Sequence, residues 1–201
     1  AYFAEAFAGY RGMVWSGGTR QVDRDGNLDP MVTDLPGVIA VGNPGSIALG
    51  STPRTDYLRL VGESRLVLDE WGTGLNPAMR AILVVQNGAD GRSDWDGDLD
   101  QVFDLMNNLK RDAAFQQVGW IGWNGGAVTE QELVRSAKLG WPTILVRGSQ
   151  RVTDELIAKV EAADAELLSQ VGERHGFIIV DRSSPDTLRA TLIRHGFIQE
   201  A

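Results

Sequence analysis

The chain has 201 residues, no cysteine and a formal net charge of −8. This length suits one α/β domain, and the lack of cysteine excludes disulfides, thiolate nucleophiles and Cys-ligated zinc. No apolar run approaches the roughly 20 residues of a membrane-spanning helix, and an acidic chain without a Lys/Arg block is a poor partner for nucleic acid.

The apolar runs of the chain predict six strands, and their nearly continuous β-branched character indicates strands covered on both faces. These strands are predicted at 12–16, 37–42, 81–86, 118–123, 142–146 and 176–180. Apolar spacings of three and four predict helices at 99–115, 129–140, 153–172 and 184–196. Strands alternating with helices in this order predict a Rossmann-like, doubly wound, mostly parallel sheet with helices on both faces. We predict a single domain over 1–201, either complete or part of a longer protein.

Three regions do not fit this alternation. Residues 20–36 contain two prolines and no apolar periodicity, although a helix should follow the first strand. Either that helix is very short, or residues of the native protein are absent from the sequence. We predict a loop at 42–56, and an acidic loop at 90–100 that leads into the next helix.

Three loops with glycine and hydroxyl residues follow predicted strands, at 16–21, 124–129 and 147–155. Ligands of doubly wound sheets bind beyond the carboxyl ends of the strands, where helix N-termini and backbone amides attract anions. Arginines in two of these loops suit phosphate. The predicted ligand-binding residues are Ser16, Gly17, Gly18, Thr19, Arg20, Asn124, Gly125, Gly126, Thr129, Glu132, Arg147, Gly148, Ser149 and Arg151.

Two structural interpretations of the same loops stay open. The glycines can simply supply the positive φ of tight turns. The spacing of Thr129 and Glu132 is also that of a capping box, in which the two side chains cap one helix end. That second interpretation explains the threonine and the glutamate but leaves Gly125 and Gly126 unexplained.

Two acidic segments have the one-three-five spacing of a calcium loop. They are Asp23, Asp25 and Asn27, and Asp94, Asp96 and Asp98. In the first segment Leu28 stands where such a loop needs glycine, and the final glutamate is missing. We therefore predict no metal site.

The segment NGGAVTEQE resembles the PGGxGTxxE loop of LOG-type phosphoribohydrolases, proteins often mislabelled lysine decarboxylases. The matching residues are Gly125, Gly126, Thr129 and Glu132. Asn124 stands for the proline of that loop and Val128 for its third glycine. The resemblance implies that Glu132 would act in hydrolysis of an N-glycosidic bond, together with an upstream arginine for which the sequence offers no match.

The longer segment 125–156 is similar to the SLOG (LSDAT) domains of TRPM channels and bacterial relatives. In those domains a GG loop, a helix, a strand and a GSGRxxD-like loop follow in this order. The matching residues of the last loop are Gly148, Ser149, Arg151 and Asp154, and Gln150 replaces its second glycine. VWSGGTRQ resembles the first glycine loop of the family, whereas residues 21–117 show little similarity.

The resemblance implies a Rossmann-like domain that senses a nucleotide-derived signal such as ADP-ribose, NAD or a cyclic nucleotide relative. We expect no required cofactor beyond that ligand, a cytoplasmic location, and an attached effector or channel, a homo-oligomer, or both. The location applies equally to the cytoplasmic part of a membrane-attached protein. The alternatives are a nucleoside-5′-monophosphate phosphoribohydrolase that uses Glu132, and an assembly module whose glycine loops are only turns.

Overall fold

The structure is a computed structural model that describes residues 2–22, 28–29, 32–53, 73–76, 78–85, 95–112, 117–173 and 175–199. Its Cα trace divides into two compact units. One unit is formed by residues 7–105, and the other by residues 106–201 together with residues 1–6. The single domain expected from the sequence stays a prediction.

The unit of residues 7–105 contains a parallel sheet of three strands. Its strands are β1 (Met13–Gly17), β4 (Ile47–Thr52) and β6 (Ala81–Val84), in the order β1-β4-β6. Between the first two strands, helix α2 (Leu35–Gly42) packs against both of them. The predicted strands at 12–16 and 81–86 are confirmed as β1 and β6, except that residue 86 lies outside the described residues.

A small antiparallel sheet follows β1 directly. It consists of β2 (Thr19–Val22), β3 (Leu28–Asp29) and β5 (Thr73–Leu75), in the order β3-β2-β5. A short 3₁₀ turn at Val32–Asp34 then leads into α2. The helix expected after the first glycine loop is therefore displaced beyond two short strands. Residues 23–27 and 30–31 of this region lie outside the described residues.

Two predictions in this unit are wrong. The run at 37–42 is part of helix α2, not a strand, with Pro36 in the first helical turn, where a fixed φ favours helix. A short apolar run reads equally well as a buried strand or a buried helix, so periodicity could not separate them. The predicted loop at 42–56 contains strand β4, whose second half is the polar sequence Gly50-Ser51-Thr52.

The second unit contains another parallel sheet, with the order β7-β8-β9. The strands are β7 (Trp120–Gly122), β8 (Thr143–Arg147) and β9 (Phe177–Asp181). The helices are α4 (Ala127–Lys138), α5 (Arg151–Glu161), α6 (Ala165–Val171) and α7 (Pro185–Arg194). A short N-terminal helix, α1 (Tyr2–Ala6), packs against α7. The predicted strands at 118–123, 142–146 and 176–180 are confirmed.

Two helix predictions need adjustment. The helix predicted at 153–172 is interrupted at Ala163, which has a left-handed φ of 50°. Asp164 then starts α6, because its carboxylate accepts a hydrogen bond from the Leu167 amide at 2.9 Å. Helix α3 (Trp95–Arg111) begins inside the predicted acidic loop of 90–100. Gly140 and Gly172 follow their helices with positive φ, the usual backbone conformation of a glycine at a helix C-terminus.

The core of the second unit forms around β8. Residues Thr143–Val146 are all buried, as expected for a strand covered on both faces. Leu145 packs with Leu133 of α4 and Leu156 of α5. Gly122 makes room for this cluster, because a Cβ atom there would lie 2.9 Å from a Leu133 methyl group. The packing fixes the carboxyl ends of β7 and β8 relative to the helices that follow them.

The structure confirms the predicted fold class. The β1-β4-β6 and β7-β8-β9 sheets of the described structure are parallel, and the small β3-β2-β5 sheet is antiparallel. The chain therefore has a Rossmann-like, mostly parallel α/β fold.

Candidate functional site

The loop after β7 turns sharply at two consecutive residues. Asn124 and Gly125 have positive φ angles of 62° and 91°. A Cβ atom on Gly125 would lie 2.6 Å from three side-chain atoms of Thr129. The fold itself therefore requires glycine at position 125, through both its backbone angle and its contact with α4.

Gly126 is not explained in the same way. Its φ of −130° is accessible to any residue. Among the described residues, the one atom within 4 Å of a Cβ built there is the Arg151 Nη2, at 3.8 Å. Gly126 is also the N-cap of α4, and no side chain caps that helix end. The N-terminus of α4 therefore faces open space that is bordered by a guanidinium group.

The capping-box interpretation of Thr129 and Glu132 is wrong. The helix begins at Ala127, so Thr129 lies within its first turn and Glu132 within its second. The first backbone bond of the helix runs from the Glu130 amide to the Gly126 carbonyl, at 3.1 Å. A capping box requires its threonine at the N-cap position, which Gly126 occupies here.

The loop after β8 is held by one carboxylate. Asp154 accepts the Gly148 amide on Oδ1 at 2.8 Å and the Gln150 amide on Oδ2 at 2.7 Å. Gly148, Gln150 and Arg151 have positive φ angles of 77°, 77° and 51°. Left-handed backbone at two non-glycine residues is strained and persists only where surrounding contacts hold it. The Asp154 carboxylate is one such contact.

Hydrogen bonds join this loop to the one after β7. The Asn124 amide donates to the Ser149 Oγ at 3.0 Å. The Asn124 carbonyl accepts both the hydroxyl and the amide of Thr153, at 2.7 and 3.2 Å. The structure thus brings the predicted residues of 124–126 and 148–151 together, with the Ser149 hydroxyl already engaged in the framework.

The arginines around these loops differ in their partners. Arg147 forms a bidentate ion pair with Glu161 of α5. Within the described part of the chain, Arg151 makes no ion pair or hydrogen bond through its side chain. Arg182, which the sequence analysis did not select, donates its Nη1 to the Gly148 carbonyl at 2.5 Å. Its position in a polar turn directly after a strand, as in the other two loops, was the signal that could have identified it.

The first glycine loop belongs to the unit of residues 7–105. A Cβ atom on Gly18 would lie 2.5 Å from a methyl carbon of Ile82, and the Gly18 amide donates to the Ser51 carbonyl at 2.6 Å. Ser16 donates its hydroxyl to the Thr33 carbonyl at 3.1 Å. Close packing within the sheet is thus sufficient to explain glycine at position 18.

The remaining predicted residues of this loop are Gly17, at the end of β1, and Thr19 and Arg20, at the start of β2. Thr19 is buried. Arg20 contributes its backbone to β2, and its side chain lies outside the described atoms. The role of this loop in ligand binding stays a prediction.

A family model described as SLOG in TRPM, prokaryote, matches residues 63–189, which is more than half of the chain. The chain belongs to this prokaryotic SLOG family. The resemblance expected from the sequence is thereby confirmed, and the match also covers residues 63–117, where little similarity was expected. Membership supports a nucleotide-related domain in general. The matched span includes both joined loops of the SLOG domain and Arg182, but it excludes the first glycine loop. No curated protein matches the chain.

The described residues of this SLOG domain contain neither a metal-binding cluster nor a membrane-spanning helix. No group of three or more His, Asp or Glu side chains in that part of the chain could hold a metal ion. No helix in the same part is long and apolar enough to cross a bilayer. The predicted calcium-like spacing at 23–27 lies outside the described residues, as does Asp94.

A buried carboxylate lies near the carboxyl end of β4. The Trp15 indole donates to the Ser51 Oγ, and Ser51 donates to the Asp98 Oδ2, both at 3.3 Å. Asp98 is 6% exposed, and its Oδ1 has no hydrogen-bond partner in the described structure. Burial raises the pKa of Asp98 to about 6, although the Ser51 hydrogen bond opposes this shift.

We expect Asp98 to make the stability of the SLOG domain depend on pH. Because the folded-state pKa is raised, the folded protein holds this proton more tightly than the unfolded chain. The cost of ionising Asp98 is absent below about pH 4 and fully present above about pH 6, where it amounts to about 1–3 kcal/mol. Asp98→Asn should remove this loss of stability, as measured by urea unfolding at pH 4 and pH 8. The exposed Asp104→Asn control, on the same helix, should keep it; equal pH dependence in both variants contradicts the assignment.

Proposed function

We propose that this SLOG domain binds a phosphate-bearing nucleotide derivative at the loops after β7 and β8. The observation that carries this proposal is Gly126, which faces open space at the uncapped N-terminus of α4 beside Arg151. No packing contact or backbone angle of the described structure requires glycine there. A phosphate in that space would accept backbone N–H bonds and lie at the positive end of the helix dipole.

The electrostatics of the site support an anionic ligand. The chain carries a formal net charge of −8, so an anionic ligand needs positive groups that are not neutralised locally. Arg151 carries such a group within the described structure, and Arg182 also makes no ion pair there. A guanidinium group binds phosphate through paired, charge-assisted hydrogen bonds.

The helix ends of this unit differ in a way that supports the same location. The N-termini of α6 and α7 are capped by the side chains of Asp164 and Ser184. At α5 the Asp154 carboxylate accepts the Gln150 amide and the Asn124 carbonyl accepts the Thr153 amide. At α4 the N-cap residue is Gly126, which has no side chain to cap the helix. The N–H groups of a helix start need a partner, and a bound phosphate supplies one.

We propose ADP-ribose, NAD or a cyclic nucleotide relative as the ligand class, and regulation of an attached effector or channel as the role. The cytoplasmic location and the homo-oligomer belong to the same proposal. The SLOG family supports the nucleotide part of it in general terms. Glu132 matches the glutamate that a phosphoribohydrolase would use, but Val128 replaces the third glycine of that loop and no upstream arginine matches, which favours binding without hydrolysis.

The experiment is a thermal-shift titration with ADP-ribose, NAD, a cyclic dinucleotide and AMP. A ligand present at 100 times its Kd should stabilise the domain by about 2.7 kcal/mol, which raises Tm by roughly 5–10 °C for a chain of this size. Absence of any shift with all four compounds contradicts the proposal. Incubation with AMP tests the alternative: we expect no free adenine by chromatography, and its release would assign the phosphoribohydrolase activity instead.

A further inference from the structure

Arg182 reaches the same loop as the predicted phosphate-binding residues, from a different strand. It follows β9 directly, and its amide donates to the Arg147 carbonyl at 3.2 Å. Its guanidinium donates Nη1 to the Gly148 carbonyl at 2.5 Å. The Arg182 side chain also lies against Gly148, because a Cβ atom there would come within 3.2 Å of the Arg182 Cδ.

The guanidinium of Arg182 retains most of its hydrogen-bonding capacity. It has five N–H donors, and the described structure engages one group, Nη1. The neighbouring carboxylate of Asp181 accepts the Ser183 amide at 2.8 Å, and no ion pair joins it to Arg182 in the described residues. Arg182 is exposed. Arg182 is thus an exposed arginine beside a strained loop, and its unused N–H donors can bind an anion there.

Arg182 and Arg151 are associated with the two ends of the same short loop. Arg182 contacts Gly148, at the start of the loop, whereas Arg151 ends it and borders the space at Gly126. Positions 148 and 151 are three residues apart, so their Cα atoms are at most about 11 Å apart. Arg147, the third arginine of the region, is held by Glu161. Two separate guanidinium groups at one short loop can each bind one phosphate of a diphosphate.

We infer that Arg182 is a ligand-binding residue, and that Arg151 and Arg182 together select a diphosphate-bridged nucleotide over a nucleoside monophosphate. This inference rests on the proposed function, since it assigns the second phosphate of the same ligand. Arg151 and the N-terminus of α4 bind one phosphate, and Arg182 binds the other above Gly148. A monophosphate uses only the first of these positions.

The test compares ADP-ribose with AMP by isothermal titration calorimetry on the wild type, Arg182→Gln and Arg182→Ala. Glutamine keeps N–H donors on a shorter side chain and removes the charge, whereas alanine removes both; the comparison with AMP separates ligand binding from a purely structural role. We expect both variants to bind ADP-ribose roughly tenfold or more weakly, as for loss of a charge-assisted bond. Their affinity for AMP should change by less than about threefold. Arg194→Gln, at the exposed end of α7, is the matched control and should bind both ligands like the wild type.

Each other outcome overturns a different statement. Unchanged ADP-ribose affinity in Arg182→Gln excludes Arg182 as a ligand-binding residue, even if Arg182→Ala binds weakly, because the effect would then come from the Gly148 hydrogen bond. Equal losses for ADP-ribose and AMP exclude the selection of a diphosphate. If the wild type binds neither compound but NAD or a cyclic dinucleotide raises its Tm, the inference fails and the proposed function stands; if none of the four compounds binds, both fail.

Discussion

Gly126→Val is expected to abolish binding of the nucleotide ligand while leaving the SLOG domain folded. The valine side chain would fill the space between the N-terminus of α4 and the Arg151 guanidinium, where the nearest atom to a new Cβ is 3.8 Å away. Because the φ of −130° suits a β-branched residue, no backbone strain should follow. We expect the Kd for ADP-ribose to rise at least about 100-fold, or about 2.7 kcal/mol.

The measurement is calorimetric titration, with urea unfolding to monitor stability. The free energy of unfolding should change by less than about 1 kcal/mol, as for a surface substitution without a clash. Gly42→Val is the matched control, because a Cβ atom on Gly42 meets no described atom within 4 Å beyond its chain neighbours and its φ is not left-handed. Gly42 lies in the unit of residues 7–105 and should tolerate valine without loss of affinity. Wild-type affinity in Gly126→Val would move the ligand away from this loop.

Asp154→Ala is expected to weaken binding and to destabilise the domain together. Both carboxylate oxygens accept amides of the β8–α5 loop, those of Gly148 and Gln150. An alanine at position 154 accepts neither amide, so the left-handed backbone of Gln150 and Arg151 loses this support. The guanidinium of Arg151 then loses its fixed position. Hydrogen bonds to a charged group contribute about 1.5–3 kcal/mol, so we expect a loss of about 1–3 kcal/mol of stability at this partly exposed residue.

The affinity for ADP-ribose should fall at least roughly tenfold, because a displaced guanidinium loses its charge-assisted bond to the ligand. Asp186→Ala is the control, since Asp186 occupies the first turn of α7 in the same unit. Urea unfolding and calorimetric titration on both variants check the prediction. If Asp154→Ala unfolds at lower urea concentration but binds as tightly as the wild type, the loop conformation is not needed for the ligand.

The strands of the second unit were predictable because their signal is local. Residues 143–146 form a continuous apolar and β-branched run, and this composition is typical of a strand buried on both faces. The run at 37–42 has the same composition but folds as a helix, since Pro36 and the packing of Gly37 against Ala78 favour that conformation. The contact with Ala78 joins residues distant in sequence, and the periodicity of a single sequence carries no information about such contacts.

The candidate site was only partly predictable for a similar reason. Motif spacing selected Gly126 and Arg151, which the structure places beside one another. It could not show that the Ser149 hydroxyl accepts the Asn124 amide, or that Arg147 pairs with Glu161. Those partners depend on how β7, β8 and α5 pack. The same motif matched Asp154, but only the coordinates assign its carboxylate to two loop amides.

The hydrogen bonds from Thr153 to the Asn124 carbonyl have a consequence for substitutions near the glycine loop. Thr153 is fully buried, and its two bonds set the path of the glycine loop without any contribution from exposed side chains. The charged groups at 151 and 182 are exposed and can change without altering that path. Substitutions at these two exposed positions are therefore expected to change the binding of an anion while the backbone of the glycine loop keeps its path.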